Sequence, residues 1–411
     1  MLNAVSAVRS LLLAIFMLMA GGGFMATLIA IRLEQAGGSA LVVGIVGTAY
    51  FLGLVLGSTR AGSLVARVGH IRAFAAFVSL FSASTLTYAV HQDPLLWSGL
   101  RLVDGFCVAG VYVCLESWLN ERSESGTRGM VLAAYMIALY VGQAAGQFLL
   151  NIGGTKPSIP FLAASILISL SAIPVALTRI HAPPLPSGAT LPMRALFAIS
   201  PLGVVGAALT GAMLGAFYAL GALYARRIGM ELSSVALFMS IVIFGGVALQ
   251  WPLGLLSDRF DRRRIIVLAF AGTLAAGLAL ALAARPGLPL LALGALFGGL
   301  SFALYPLCVA HANDHLSPDQ RVPASGGLVL TYSAGAAAGP LAAAAFMTAA
   351  GSPGLFLFVA ACAGGGLLFG LWRQIRRSPV PAAQQRSYQI LPRTTPVSAV
   401  LDPLATSEEA S

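Results

Sequence analysis

Charged and polar side chains form one stripe along the fourth long apolar segment of the chain. At about 100° per residue, Arg101, Asp104, Tyr112 and Glu116 fall within about a third of the circumference of a helix. A charged residue at the centre of a membrane span costs on the order of 2.5–3.5 kcal/mol on insertion scales, so such groups face a protein interior or a watery cavity. The stripe therefore predicts one wall of a polar cavity inside a helical bundle.

Two interpretations of Arg101 follow from its spacing. It can be the charge partner of a bound small molecule or of a proton-carrying acid, because ionisable residues within spans default to a functional role. Alternatively, Asp104 lies one helical turn further along and neutralises Arg101 within the helix, which makes the pair structural. The sequence leaves both interpretations open.

Three further side chains are candidates for the same cavity. Glu116 is either a carboxylate that takes up and releases a proton because burial raises its pKa, or part of a gate at the membrane surface with Arg122 and Arg128. Gln143 and Gln147 share one face of the fifth apolar segment. Their amides can hydrogen-bond an uncharged polar group, or they can bond between helices.

The sequence pattern contains no cluster suited to catalysis or to metal binding. His311 and His315 have the spacing of a metal pair on a helix, but no third ligand accompanies them. The four cysteines fall inside apolar stretches and are interpreted as small buried side chains. Without a nucleophile beside a base and without a phosphate-binding loop, the chain is predicted not to be an enzyme and to use no metal or cofactor.

Composition places these residues in a lipid bilayer. Of the 411 residues, 58% are hydrophobic and 9% are charged, whereas soluble domains carry about 25% charged residues. The net charge of +10 comes from arginines in short gaps between apolar stretches, which favours a membrane protein over a nucleic-acid-binding one. Arginine is far commoner in the gaps on the side of the N-terminus, so both termini are predicted to be cytoplasmic.

The apolar stretches predict an all-α integral membrane protein. A spanning helix needs about 20 mainly apolar residues, and twelve segments qualify: roughly 10–31, 41–61, 73–90, 95–116, 130–152, 160–178, 197–222, 234–256, 265–284, 288–310, 323–349 and 353–373. A proline-rich gap after the sixth segment divides them. The prediction is an N-terminal six-helix bundle at 1–178, a cytoplasmic linker at 179–195, a C-terminal six-helix bundle at 196–375 and a disordered cytoplasmic tail at 376–411.

The two halves repeat each other at a nearly constant shift. Matched residues are Tyr112 and Tyr305, Asn120 and Asn313, Glu121 and Asp314, Arg128 and Arg321, Gly142 and Gly335, and Gly146 and Gly339, which Pro340 follows. Glycines four residues apart let two helices approach closely. Duplicated halves are a transporter design with the substrate between them near mid-bilayer, so two pseudo-symmetric bundles are expected. Tyr305 then joins Tyr112 at the cavity or, alternatively, is a packing residue.

The loops between the second and third helices of each half resemble those of the major facilitator superfamily. The second copy has the family's glycine, acid and arginines, at Gly254, Asp258, Arg259, Arg262 and Arg263, with Asp261 in place of a glycine. The first copy keeps Gly62, Arg67 and Gly69 but has Ala66 where the family has the acid. The run from Glu116 through Arg128 to Gln147 is similar to the YcaD-like branch of bacterial members.

This resemblance implies a secondary active transporter of a small molecule that works by alternating access and is coupled to protons. The two loop motifs and Arg128 are then expected to gate the cytoplasmic side. The implied setting is the bacterial inner membrane, with a monomer crossing it many times, a small molecule and protons as partners, and no nucleic acid. The alternative is a membrane receptor or regulator that binds a ligand without moving it.

Overall fold

The computed structural model describes residue 5 and residues 8–123, 126–154, 156–178, 191–376, 385–390 and 392–395. Within these ranges, twelve helices are long and apolar enough to cross a membrane, which confirms the twelve predicted spans and the all-α fold. They are α1 Arg9–Gln35, α2 Ala40–Val68, α3 His70–Val90, α4 Pro94–Glu121, α5 Arg128–Gly153, α6 Ile159–Ala176, α7 Pro201–Arg227, α8 Leu232–Arg259, α9 Arg262–Leu282, α10 Leu288–Asn313, α11 Pro318–Ala350 and α12 Gly354–Arg376.

Aspartate caps fix the starts of two helices that carry charged residues. The Asp93 carboxylate accepts a hydrogen bond from the Leu96 amide at 2.7 Å, just ahead of Pro94. The Asp261 carboxylate accepts one from the Arg263 amide at 3.0 Å. Each cap satisfies an amide that lacks a partner at a helix start. The caps thereby set where α4 and α9 begin and which faces their charged side chains occupy.

Three helices are not continuous, and a short helix precedes the first span of the second half. α1 consists of Arg9–Gly22 and Met25–Gln35, because its three consecutive glycines weaken the helix interior. α5 ends in a 3₁₀ turn, Phe148–Gly153. α6 consists of Ile159–Leu170 and Ala172–Ala176. A short helix, Met193–Ile199, begins at the end of the predicted linker, continues into the predicted second bundle and precedes α7. Residues 179–190 of that linker lie outside the described residues.

The two halves have the same internal arrangement, as their repeated sequence predicts. In the first half, α1 packs on α5, α2 on α4, and α3 on α6. In the second half, α7 packs on α11, α8 on α10, and α9 on α12. Each pair in one half therefore has its counterpart six helices later, and the fold is two pseudo-symmetric six-helix bundles.

Glycines at repeated positions hold the closest of these helix pairs together. A Cβ atom built on Gly142 of α5 would lie 2.5 Å from the Phe16 carbonyl oxygen of α1, and one on Gly146 would overlap the backbone of Ala20. In the second half, a Cβ on Gly335 or Gly339 of α11 would overlap the backbone of α7. No larger residue fits at these four positions without moving a helix apart from its partner.

The halves meet each other near one membrane face. We call the face where α1 begins and α12 ends the terminal face, and the other the opposite face. Toward the opposite face, the Thr48 hydroxyl donates to the Ala337 carbonyl at 2.9 Å, and the Glu34 and Arg226 side chains lie 3.8 Å apart. α2 also packs along α11, and α5 along α8. These contacts close the gap between the halves at the opposite face.

Part of the C-terminal tail folds back between the bundles from the terminal face. The Arg386 amide donates to the Asp314 carboxylate at 3.1 Å, and the Tyr388 amide donates to the Asp258 carboxylate at 2.8 Å. These residues depart from the prediction of a disordered tail, because carboxylates at the ends of α8 and α10 accept hydrogen bonds from extended backbone. Residues 377–384, 391 and 396–411 lie outside the described residues.

Candidate functional site

A cavity of about 140 Å³ lies between the two halves. Residues of α1, α2, α4 and α5 line it from the first half, and residues of α7 and α11 line it from the second. Its polar and aromatic lining residues include Tyr50, Arg101, Tyr112, Tyr140, Gln143, Tyr218, Tyr332 and, from the tail, Arg393. Arg101 and Tyr112 of the stripe on α4 thus line a space between the bundles and do not face lipid, where a charged side chain would be costly.

Arg101 and Asp104 form a buried pair at one end of this cavity. Arg101 Nη1 lies 3.7 Å from Asp104 Oδ2, and the side chains are 4% and 0% exposed. The Arg101 guanidinium also stacks over the Tyr50 ring at 4.0 Å, and the Tyr88 hydroxyl donates to Asp104 at 2.6 Å. The pair is therefore neutral as a unit, while Arg101 still lines the cavity.

Four aromatic side chains surround a second cation at the centre of the cavity. We call Tyr140 of α5, Tyr218 of α7, Phe302 of α10 and Tyr332 of α11 the aromatic cage. The guanidinium carbon of Arg393 lies 4.4 Å from the ring centre of Phe302, 5.5 Å from that of Tyr332 and 6.0 Å from that of Tyr140. Its Nη2 donates to the Tyr218 hydroxyl at 3.5 Å. Rings at these distances attract a cation through their quadrupoles.

Glu116 lies near the cage on the side of the terminal face and is fully buried. Its carboxylate accepts hydrogen bonds from the hydroxyls of Tyr135, at 3.3 Å, of Thr395, at 2.5 Å, and of Thr394. Two of these donors belong to the tail. The partners of Glu116 thus include hydroxyl groups, which can both donate and accept.

The second loop motif forms a buried ion-pair network at the terminal face. Arg262 is 1% exposed and lies 2.6 Å from Asp314 and 3.0 Å from Asp258. It also donates to the Arg386 carbonyl of the tail at 2.6 Å. Burial raises the pKa of the Asp314 carboxyl, while Arg262 and the Arg386 amide oppose that shift. A Cβ atom on Gly254 would overlap the Tyr388 ring, so this glycine makes room for the tail.

The first loop motif has a different structure. His70 occupies the repeat position of Arg262 and packs against Trp118, with 5.7 Å between ring centres. Arg67 is exposed at the surface, and Gly69, with φ of +89°, forms the turn between α2 and α3. Since Ala66 stands at the repeat position of Asp258, this half has no counterpart of the Asp258–Arg262 pair.

The structure brings some of the predicted site residues together and separates others. Arg101, Tyr112 and Gln143 line the cavity, whereas Gln147 is buried behind it, its amide 3.5 Å from the Gly23 carbonyl. Tyr305 is 1% exposed and packs edge-on against Tyr332.

The predicted gate residues do not all lie at one site. Gly254, Asp258, Arg262 and Arg263 lie in or beside the ion-pair network, Arg128 is buried at the start of α5, and Gly62 and Arg259 lie away from it at the surface.

Sequence reasoning missed the tail arginine and Phe302, and it gave Tyr218 and Tyr332 only as weak candidates that are more often packing residues. Tyr218 and Tyr332 each stand alone in an apolar run, where a tyrosine packs as readily as it binds. Arg393 has no apolar period around it to suggest burial. For metals, the described residues contain no group of three histidine, cysteine, aspartate or glutamate side chains suited to hold an ion.

Comparison with protein families and curated sequences gives consistent matches. The model for the Major Facilitator Superfamily matches residues 11–286 and 202–404. A protein named uncharacterized MFS-type transporter YcaD from Salmonella enteritidis is 30% identical over 361 residues, which are 87% of this chain and 93% of the relative. Its counterpart in Salmonella arizonae is 30% identical over 382 residues, covering 92% of this chain and 98% of the relative. These matches confirm the resemblance seen in the loop motifs and in α4 and α5.

Solved structures share the fold at much lower identity. The crystal structure of the nucleoside transporter NupG aligns with a TM-score of 0.72 at 15% identity, covering 89% of this chain and 97% of that one. A bacterial homologue of the human lysosomal transporter Spinster, in an inward-facing and occupied conformation, aligns with a TM-score of 0.73 at 14% identity, covering 93% and 97%. At this identity the likeness concerns the arrangement of helices.

Proposed function

Since the chain belongs to the Major Facilitator Superfamily, we propose that it is a secondary active transporter. It carries a small molecule across the bacterial inner membrane by alternating access, with protons as the coupling ion. The bias of arginine toward the gaps on the N-terminal side supports a cytoplasmic location for the terminal face. The working unit is a monomer, because the cavity lies within a single chain.

The observation that carries this proposal is the cavity between two halves of the same architecture. Its walls come from both halves, and contacts such as Thr48 with Ala337 and Glu34 with Arg226 close it at the opposite face. Rocking of one bundle against the other around a fixed central site is how duplicated transporters alternate. This structure then corresponds to the state in which the cavity faces the cytoplasm.

Distances between spin labels on the two halves test alternating access. Labels at Glu34 and Arg226 report on the opposite face, and labels at Arg67 and Arg259 report on the terminal face. A transporter populates a second state in which the first distance lengthens while the second shortens. A pair within the first half at the same face, Glu34 and Lys156, is the control and keeps one distance. A single, unchanging distance for both reporter pairs under every condition would favour the receptor alternative.

Glu116 is the residue that we propose carries the coupling proton. Hydroxyl groups can donate to a carboxylate or accept from a carboxylic acid, so the hydroxyls of Tyr135, Thr394 and Thr395 can bond Glu116 in either protonation state. Asp104 also accepts from a hydroxyl, that of Tyr88. It differs because its other partner, Arg101, is a cation with only donors to offer and so favours the ionised form.

Substitution of Glu116 tests this role without knowledge of the substrate. In the wild type, we expect the balance between the two states, read from the label distances, to shift as pH is lowered. Glu116→Gln keeps the shape but removes the titrating group, so the shift disappears. Glu121→Gln, on the same helix at the membrane surface, is the matched control and keeps the shift. A normal pH response in Glu116→Gln would assign the proton to another group.

A further inference from the structure

The tail places a guanidinium where a transported molecule would bind. Arg393, Pro392 and Thr394 all line the central cavity, and the aromatic cage that holds Arg393 is contributed by both halves. Its members Tyr140, Phe302 and Tyr332 are at most 6% exposed. A site built from both bundles near the middle of the membrane is where alternating access requires the substrate to sit. The Arg393 side chain therefore indicates which kind of ligand this cavity accepts.

The chemistry of the cage is specific for a positive charge. Phe302 offers Arg393 a ring face at 4.4 Å and has no hydrogen-bonding group, so its attraction for the guanidinium is cation–π in kind. Tyr332 and Tyr140 add ring faces, and the Tyr218 hydroxyl adds a hydrogen-bond acceptor. A neutral group of the same size lacks this charge–quadrupole attraction, and an anionic group is repelled by the negative ring faces.

The charges around the cavity also favour a positively charged ligand. Arg101 and Asp104 form an ion pair and cancel each other. Glu116, on α4, lies where the next two residues of the tail reach it, and its carboxylate contributes a negative potential near the cage. A cavity that combines a neutral pair, a carboxylate and aromatic faces is complementary to a small monocation.

The tail is anchored so that its arginine reaches the cage. The backbone of Arg386 and Tyr388 bonds to Asp314, Arg262 and Asp258 at the terminal face. Six residues lie between Arg386 and Arg393, and the seven steps of an extended chain cover at most about 25 Å. Half of a bilayer core is about 15 Å, so the anchored segment is long enough to bring Arg393 to mid-membrane.

We propose that the central cavity binds small organic cations of the guanidinium or ammonium class, and that Arg393 occupies the same aromatic cage as an internal, competing ligand. This inference rests on the proposed transport function and assigns its substrate class. The network of Asp258, Arg262 and Asp314 then has a second role, which is to hold the tail in place. The first half lacks this ion-pair network, and this explains why the tail is anchored on the second half.

Competition from a tethered ligand has a predictable size. A segment held by a linker of this length has an effective concentration on the order of millimolar. If the tail fills the cage in about nine molecules of ten, an added ligand binds about tenfold more weakly than its intrinsic affinity. Removing the charge of Arg393 should therefore tighten the binding of an external cation by about tenfold.

Calorimetric titration of the purified full-length protein in lipid nanodiscs tests the inference. The probes are benzylguanidinium and benzylurea, which have similar shapes and differ in charge. We expect Arg393→Gln to bind benzylguanidinium about tenfold more tightly than the wild type does, and to bind benzylurea more weakly than benzylguanidinium. Arg376→Gln is the matched control, because it removes one charge from the exposed end of α12, outside both the cage and the anchor of the tail. It should leave the affinity within about threefold of the wild type.

Variants of the cage complete the test. Added to Arg393→Gln, Phe302→Leu should weaken benzylguanidinium binding by about tenfold or more and leave benzylurea binding unchanged. Tyr332→Leu, on a different helix, provides the same readout should the first variant fail to fold. Equal binding of the two probes to Arg393→Gln would overturn the cation assignment. Equal affinity of the wild type and Arg393→Gln for benzylguanidinium would overturn occupancy of the cage by the tail.

Label distances measured on the same Arg393→Gln protein separate this inference from the proposed function. If the halves exchange between two states and the probes bind equally, the substrate class is wrong and transport stands. If benzylguanidinium binds selectively but neither reporter distance changes, the cation site stands and the protein acts as a receptor.

Discussion

Replacement of Arg262 should destabilise the protein far more than replacement of its neighbour Arg263. Arg262 and Asp314 are each 1% exposed and lie 2.6 Å apart. Arg262→Met leaves the Asp314 carboxylate buried without its cation, and breaking a buried pair in this way costs about 3–5 kcal/mol. Arg263 and Asp261 are 10% and 17% exposed, and a more exposed pair costs less to break because water solvates the charge that is left behind.

Reversible unfolding in mixed detergent micelles measures both costs as changes in the free energy of unfolding. Arg263→Met is the matched control, since it removes the same charge one residue away. The double substitution Arg262→Met with Asp314→Asn should recover part of the loss, because it leaves no buried charge unpaired. The reasoning is refuted if Arg262→Met costs no more than Arg263→Met.

The pH dependence of the Arg262→Met variant gives a second check on the same pair. Burial already raises the pKa of Asp314, and Arg262 opposes that rise, so loss of the arginine raises the folded-state pKa further. An acid whose pKa is higher in the folded state binds more protons there, and stability then increases as pH falls. The cost of Arg262→Met should therefore shrink on acidification. A cost that grows on acidification would contradict this view of Asp314.

Two further substitutions test other parts of the fold. Gly339→Leu should abolish folded, monodisperse protein, because its side chain would enter the backbone of α7, whereas Gly62→Leu has open space around it and should have little effect; size-exclusion profiles of the two variants decide this. Arg101→Met should lower the free energy of unfolding by about 3–5 kcal/mol, and adding Asp104→Asn should restore part of it in the same unfolding measurement.

Much of the fold was predictable because lipid imposes simple rules on sequence. Every span needs a long apolar run, so twelve runs predicted twelve helices. The repeated glycines of α5 and α11 indicated close helix pairs, and the structure shows the backbone of α1 or α7 against each of them. The exact ends of α4 and α8 were harder to predict from the sequence. Both helices extend beyond their apolar cores into charged residues at the terminal face.

The site was predictable mainly from the charged residues within the membrane spans. Arg101 and Glu116 cannot face lipid cheaply, so their shared stripe on α4 indicated an interior cavity. Tyrosine carries no comparable penalty, and a tyrosine in an apolar run is equally compatible with packing and with binding. Tyr218 and Tyr332 therefore stood out little from the sequence, although the structure brings them together around Arg393. Contacts between residues as distant in sequence as Glu116 and Thr395 leave no local pattern.

Access of water to the centre of the protein tests the central claim most directly. A cysteine at Tyr112, in a chain without its native cysteines and with Arg393→Gln to clear the cavity, is exposed to a membrane-impermeant thiol reagent in sealed vesicles. A cysteine at Leu80, whose side chain is 51% exposed on the outer surface of α3, is the lipid-facing control. The account predicts that the cysteine at Tyr112 reacts from both sides of the membrane, while the cysteine at Leu80 reacts from neither. A cysteine at Tyr112 as unreactive as the one at Leu80 would contradict a water-filled route between the two halves.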